Sequence, residues 1–181
     1  TITPDLAEGV YDVDYEGIDS LGNSGSGSSV GILEIDVTPP AQAVVSGISD
    51  DTGSSGTDGI TNDKTLIISG TAEADSTVEV FQDSVSLGTT TADGSGNWSY
   101  GPTAELADGE YDFTAQATDG AGNTGTLSTA FTATVDTTIA APVVEDVTSD
   151  TGSSNTDFIT NDTTLVFNGS ADPNVSVQME I

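Results

Sequence analysis

Chemistry in this chain has to come from oxygen. The sequence carries 30 Asp and Glu residues against a single cation, Lys64, and has no Arg, His or Cys. Its acidic and amide side chains are not evenly scattered. Asp50, Asp51, Asp58, Asn62 and Asp63 crowd one segment, and Asp150, Asp157 and Asp162 repeat three of those positions 99 residues later. Asp36, Asp119, Asn123, Asp136 and Asp172 stand at the edges of apolar runs. Carboxylate and carboxamide oxygens are hard ligands and suit hard cations, calcium above all, which takes about 6–8 oxygens at roughly 2.3–2.6 Å. At a net charge of −29, crowded carboxylates repel one another, and a divalent cation would relieve that repulsion.

The same composition excludes other chemistry. Neutralising phosphates requires Arg and Lys, so nucleic-acid binding is excluded, and anionic lipid surfaces would repel the chain. Without His or Cys there is no His-based triad, thiol nucleophile, disulfide or ordinary zinc site. Ser and Thr abound, but no base accompanies them. The Gly-Ser stretch at 22–29 lacks the Lys and following helix of a phosphate loop. Paired glycosidase carboxylates would have to face each other across a cleft, whereas these recur along the chain. An enzyme is not expected. No apolar run approaches the ~20 residues of a membrane span. The opening Thr1-Ile2-Thr3-Pro4-Asp5, with neither a basic n-region nor an initiator Met, reads as the interior of a longer chain.

The elements that position these oxygens emerge from internal repetition. DTGSSGTDGITNDKTL at 51–66 returns as DTGSSNTDFITNDTTL at 150–165. LAEGVYDV at 6–13 returns as LADGEYDF at 106–113, and Asp19/Asp119, Gly22/Gly122, Asn23/Asn123 and Asp36/Asp136 keep that register. One whole repeat therefore spans 38–137. The end of another precedes it at 1–37, and the start of a third follows at 138–181. Low hydrophobicity with high charge often means disorder, but a long period with conserved apolar positions argues for a folded array.

Within the repeat the apolar period is two, the strand signal. Tyr111, Phe113, Ala115 and Ala117 alternate with Glu110, Asp112, Thr114 and Gln116, and Val175, Val177, Met179 and Ile181 alternate further on. Gly, Asn, Asp and Ser punctuate the runs. Seven strands are expected: A 42–49, B 64–72, C 77–83, D 85–92, E 97–101, F 110–118 and G 125–136. Seven short strands in about a hundred residues is the pattern of the immunoglobulin-like β-sandwich. The fold class is therefore all-β, in tandem repeats. Tyr11 and Tyr111 fit a tyrosine corner at the start of strand F, and Trp98 fits a core anchor.

TNDKTLIISGTAEA at 61–74, GTTTADGSGNWS at 88–99, LADG at 106–109, ATDGAGN at 117–123 and VDTT at 135–138 together resemble the bacterial Ig-like repeats of giant surface adhesins. The resemblance covers nearly the whole chain. It implies extender repeats of large biofilm or RTX-type adhesins, secreted to the bacterial surface, with calcium at domain junctions. The linkers depart from each other: Val37-Thr38-Pro39-Pro40 at one junction, Thr137-Thr138-Ile139-Ala140-Ala141-Pro142 at the other.

Strand direction gives an independent placement of the oxygens. Strand A ends at the pole that holds the A–B loop, 50–63, and strand G brings Asp136 there beside Asp50, Asp51, Asp58, Asn62 and Asp63. The B–C, D–E and F–G turns occupy the other pole, where Asp119 and Asn123 face Asp36 of the preceding linker. At the next junction Asp172 and Asn174 are expected to face the 50–63 loop. Neither EF-hand nor β-roll spacing is present. Asp and Asn acting only as turn formers is the plainer alternative. The expected function is a structural stalk repeat, whose partners are neighbouring repeats of the same chain. Alternatives are a filament built from copies of the chain, and a glycan-binding module.

Overall fold

Most of the alternating segments in the sequence become strand. A computed structural model describes residues 6–53, 55–148, 158–161, 163–172 and 175–180, and all regular structure among them is β. No helix among these residues is long and apolar enough to cross a membrane. The chain forms two compact units, Thr1–Asp136 and Thr137–Ile181.

The first unit begins with a hairpin of β1 (Gly9–Ile18) and β2 (Ser24–Ile35). A sandwich follows, built from β3 (Val44–Ile48), β4 (Ile60–Thr61), β5 (Ile68–Thr71), β6 (Thr77–Gln82), β7 (Val85–Thr91), β8 (Asn97–Tyr100), β9 (Gly109–Thr118) and β10 (Phe131–Val135). Its sheets have the orders β3-β5-β8 and β4-β10-β9-β6-β7. Their inward residues share one core of Leu66, Ile68, Val78, Val80, Trp98, Phe113, Ala115, Ala117, Ala133 and Val135. Burying each of the larger side chains stabilises the fold by about 1.5–3 kcal/mol. Trp98 is 3 % exposed. Its indole lies over Gly70, where an added Cβ would stand 2.6 Å from the ring. Only glycine leaves room for that ring.

The two tyrosine corners form as expected. The Tyr111 hydroxyl donates to Ala107 O at 2.9 Å, and the Tyr11 hydroxyl donates to Ala7 O at 2.7 Å. Other expectations need correction. The repeat has eight strands, because Ile60–Thr61 pairs in parallel with β10. Two residues within a Gly- and Asp-rich loop are too few to show a period. Strand G is regular only from Phe131. Ahead of it, the Gly125 and Ser128 amides reach back to Ala117 O and Ala115 O, while the Ser128 hydroxyl takes the Ala115 amide. Strand B is regular only from Ile68, since the Leu66 amide donates to Thr103 Oγ1 and Leu66 O accepts from the Thr103 amide.

The second unit pairs β11 (Val143–Val147) with β12 (Phe167–Ser170). The expected strand through Val175, Val177 and Met179 does not form a regular strand over 175–180. In the complete repeat its counterpart β6 is hydrogen-bonded on both sides, to β7 and β9. Residues 138–181 contain no equivalent of either partner.

Candidate functional site

The 50–63 loop is closed by its own polar groups. Thr61 Oγ1 donates to Asp50 O at 2.6 Å, and Thr52 Oγ1 donates to Asn62 Oδ1 at 3.0 Å while accepting the Asn62 amide. Asp58 Oδ1 accepts the Ile60 amide, and Asp63 Oδ1 accepts both the amide and the hydroxyl of Thr65. Strand G arrives as expected: the Asp136 amide donates to Thr61 O at 2.9 Å. Asp51 differs from the other acids. Its Oδ2 accepts the Gly59 amide at 3.0 Å, whereas its Oδ1 is buried without a hydrogen-bond partner among the described residues. A buried carboxylate oxygen is costly unless something satisfies it.

At the opposite pole the F–G turn meets the linker from the first repeat. Asp119 Oδ1 accepts the amides of Ala121 and Asn123, and Asp119 Oδ2 accepts Asn123 Nδ2 at 2.9 Å. Asn123 Nδ2 also donates to Asp36 O at 3.1 Å, and Asp36 Oδ1 accepts the Thr38 amide. Glu34, Asp36, Glu73, Asp119, Gly120 and Ala121 line a cleft of about 300 Å³ here.

Asp-x-x-Gly-Asn turns recur at Asp19–Asn23 and Asp93–Asn97 with the same bonds. All three aspartates titrate below the ordinary Asp range. The Asn side-chain amide is the main cause at Asp19 and Asp119, and the Asn97 backbone amide at Asp93. Each is hydrogen-bonded in its charged form, which favours that form.

In the second unit, Asp172 Oδ2 accepts the Ala140 amide at 2.7 Å. Asp150, Asp157, Asp162 and Asn174 lie outside the described residues.

The poles thus bring the expected segments together without closing a coordination shell. Among the described residues no three acidic side chains gather at a spacing that holds a metal ion. In kind, the donor set fits a hard cation at both poles: carboxylates line the cleft, and the loop contains the unsatisfied Asp51 oxygen. Two cleft carboxylates, Glu34 and Glu73, were not among the sequence candidates. Glu34 stands two residues before Asp36, near the end of β2, and Glu73 sits in the turn between β5 and β6 at this pole. Lys64, which follows Asp63 in the sequence, places Nζ 4.0 Å from Glu105 Oε1, an exposed pair that contributes little.

A family model described as bacterial Ig-like domain matches residues 38–137. Seven solved chains are similar. One comes from a structure reported as giving insight into host cell surface retention of a 1.5-MDa bacterial ice-binding adhesin. It is 24 % identical, with a TM-score of 0.38, and the alignment covers 77 % of this chain and 46 % of that one. No curated protein matches.

Proposed function

The chain belongs to the bacterial Ig-like domain family, and from that premise we propose that it is a stalk segment of a bacterial surface adhesin, exported from the cell. The observation that carries this reading is tandem repetition down to the hydrogen bond. β1 and β9 start from the same tyrosine corner and end in the same Asp-x-x-Gly-Asn turn. β11–β12 repeats the register of β3–β5, including its bulge. A unit repeated in tandem supplies length, and its role is to hold another domain at a distance. Small-angle scattering of chains with two, three and four copies of residues 38–137 tests this. The maximum dimension is expected to grow by a constant increment per copy; particles that stay compact as copies are added would overturn the stalk.

Calcium at the junctions is the second part of the proposal. Glu34, Asp36, Glu73 and Asp119 would supply carboxylates in the cleft. Asp51, with Asp50, Asp58, Asn62, Asp63 and Asp136 nearby in the fold, would supply the other pole. A bound cation would cancel repulsion between acids of adjoining repeats. Ligand binding to the folded state alone adds about 2.7 kcal/mol at a hundredfold excess over Kd. Melting in millimolar calcium is therefore expected to exceed that in EGTA, with magnesium as a control at constant ionic strength. Equal melting temperatures in the two would remove calcium from the account.

End-to-end association of copies is a second reading, favoured by one observation. Val13 and Tyr15 of β1 are exposed at positions where the complete repeat buries Phe113 and Ala115. Sedimentation equilibrium tests it, and a mass of 18.2 kDa across the concentration range would exclude it.

A further inference from the structure

We propose that Asn123 is the positioning residue of the first junction, a cation-independent bolt that sets the second repeat on the first. This rests on the stalk reading above and adds to it the group that fixes the angle between repeats. A carboxamide has two N–H hydrogens, and both are used: Asn123 Nδ2 donates to Asp119 Oδ2 at 2.9 Å and to Asp36 O at 3.1 Å. Asp119, itself held by the Ala121 and Asn123 amides, orients the amide, and the amide holds the linker carbonyl. The same turn at Asp19–Asn23 and at Asp93–Asn97 is built from the same local bonds. Among the described residues, however, Nδ2 of Asn23 and Nδ2 of Asn97 donate only to the aspartate of their own turn. Reaching out of the turn is particular to the copy that faces a linker.

The linker is gripped on its other side as well. Thr38 Oγ1 donates to Glu8 Oε2 of the first repeat at 2.7 Å, and the Thr38 amide donates to Asp36 Oδ1 at 3.0 Å. Beyond Pro39 and Pro40, whose rings fix φ, Gln42 Nε2 donates to Leu127 O at 2.6 Å. An added Cβ at Gly125 would stand 2.6 Å from Pro40 O, so the linker lies directly on the F–G connection. Every one of these contacts is a direct hydrogen bond or a packed surface. None requires a cation, so the bolt holds in chelator.

The chain has no cysteine, so spin labels can be placed through Val30→Cys in the first repeat, outside the Asp19–Asn23 turn, and Val85→Cys in the second, both exposed. Double electron–electron resonance in EGTA then reads the distance between them. A narrow distribution is expected in the parent, and Asn123→Asp is expected to broaden and shift it. Asn23→Asp inflicts the same damage on the homologous turn without touching a linker, and is expected to leave the distribution narrow. Asn123→Ala, which adds no charge, guards against a variant that fails to fold and is expected to broaden the distribution as well. A distribution equally narrow in both Asn123 variants, or equally broadened by Asn23→Asp, overturns the assignment. A parent that is broad in EGTA and narrow only in calcium also overturns the bolt while supporting the cation. Scattering dimensions that fail to grow with repeat number would instead count against the stalk.

Discussion

β3–β5 in the complete repeat and β11–β12 in the last segment are the same strand pair seen twice. Val44 faces Thr71 as Val143 faces Ser170, Ile48 faces Ile68 as Val147 faces Phe167, and both pairs carry a bulge at the same place. Even the flanking bonds agree. Ser49 and Thr148 donate their amides to Ile67 O and Val166 O, and their hydroxyl oxygens accept the amide of the same partner. Burial does not agree. Leu66 is 0 % exposed and its counterpart Leu165 is 38 % exposed. The hairpin pair at the other end repeats the lesson, with Phe113 at 0 % and Val13 at 36 %. Strand register is a local property, set by pleat, bulge and turn. Burial needs the opposing sheet.

The sharpest way to break this comparison is to truncate both leucines. Leu66→Ala removes a fully buried side chain and is expected to cost about 2–5 kcal/mol. Leu165→Ala is expected to fall within about 0.5 kcal/mol, as surface changes do. Urea unfolding of the two variants measures the contrast, and similar costs would mean that Leu165 is buried in solution. Glycine substitution should do the opposite and erase the contrast. A Cβ on Gly70 would lie 1.9 Å from Val44 O, and one on Gly169 would lie 2.1 Å from Val143 O. Alanine at either site is expected to disrupt its strand pair, at about 1–3 kcal/mol for overpacking of this kind. Amide exchange along β3 and along β11 would report it, and protection surviving in either variant would contradict the shared geometry.

Smaller effects refine the picture. Tyr111→Phe deletes one hydrogen bond and is expected to cost about 0.5–1.5 kcal/mol, read as a lower unfolding midpoint with an unchanged slope. The smallest signal is pH dependence at the turns. Asp93 is held below the ordinary Asp pKa of about 3.9, chiefly by the Asn97 amide. A carboxyl depressed in the folded state stabilises it above the unfolded value, and that contribution is lost as pH falls through the folded value. Carboxyl NMR is therefore expected to show Asp93 and Asp19 titrating below the bulk of the aspartates. Titration at the ordinary value would mean that the turn does not hold in solution.

The candidate poles were legible to a degree that follows from the same division. Asp36, Asp119 and Asn123 were placed together from strand direction alone, because a sandwich with known strand order has only two ends. Glu73 and Glu34 were not singled out, since a turn carboxylate and an outward strand residue look like ordinary solvated charge until the cleft is seen. The short β4 and the late start of β10 also escaped, for a related reason. Both depend on bonds between segments far apart in the chain: Thr134 to Gly59, and Ser128 to Ala115. No apolar period records such pairings.

By itself, the sequence determined the all-β architecture, the tyrosine corners and the Asp-x-x-Gly-Asn turns. Each of these follows from groups a few residues apart or from a period of two, so the chemical information lies within one stretch of chain. Tertiary structure alone decided which apolar positions are buried, how the two sheets share the strands, and which of three Asp-x-x-Gly-Asn turns reaches across to a linker. Asn23, Asn97 and Asn123 each follow a glycine, stand four residues after an aspartate and bond back to it. Only the arrival of the Asp36 carbonyl beside Asn123 gives one of them a second acceptor, and that arrival is a matter of where the chain has been folded to, not of what the turn is made from.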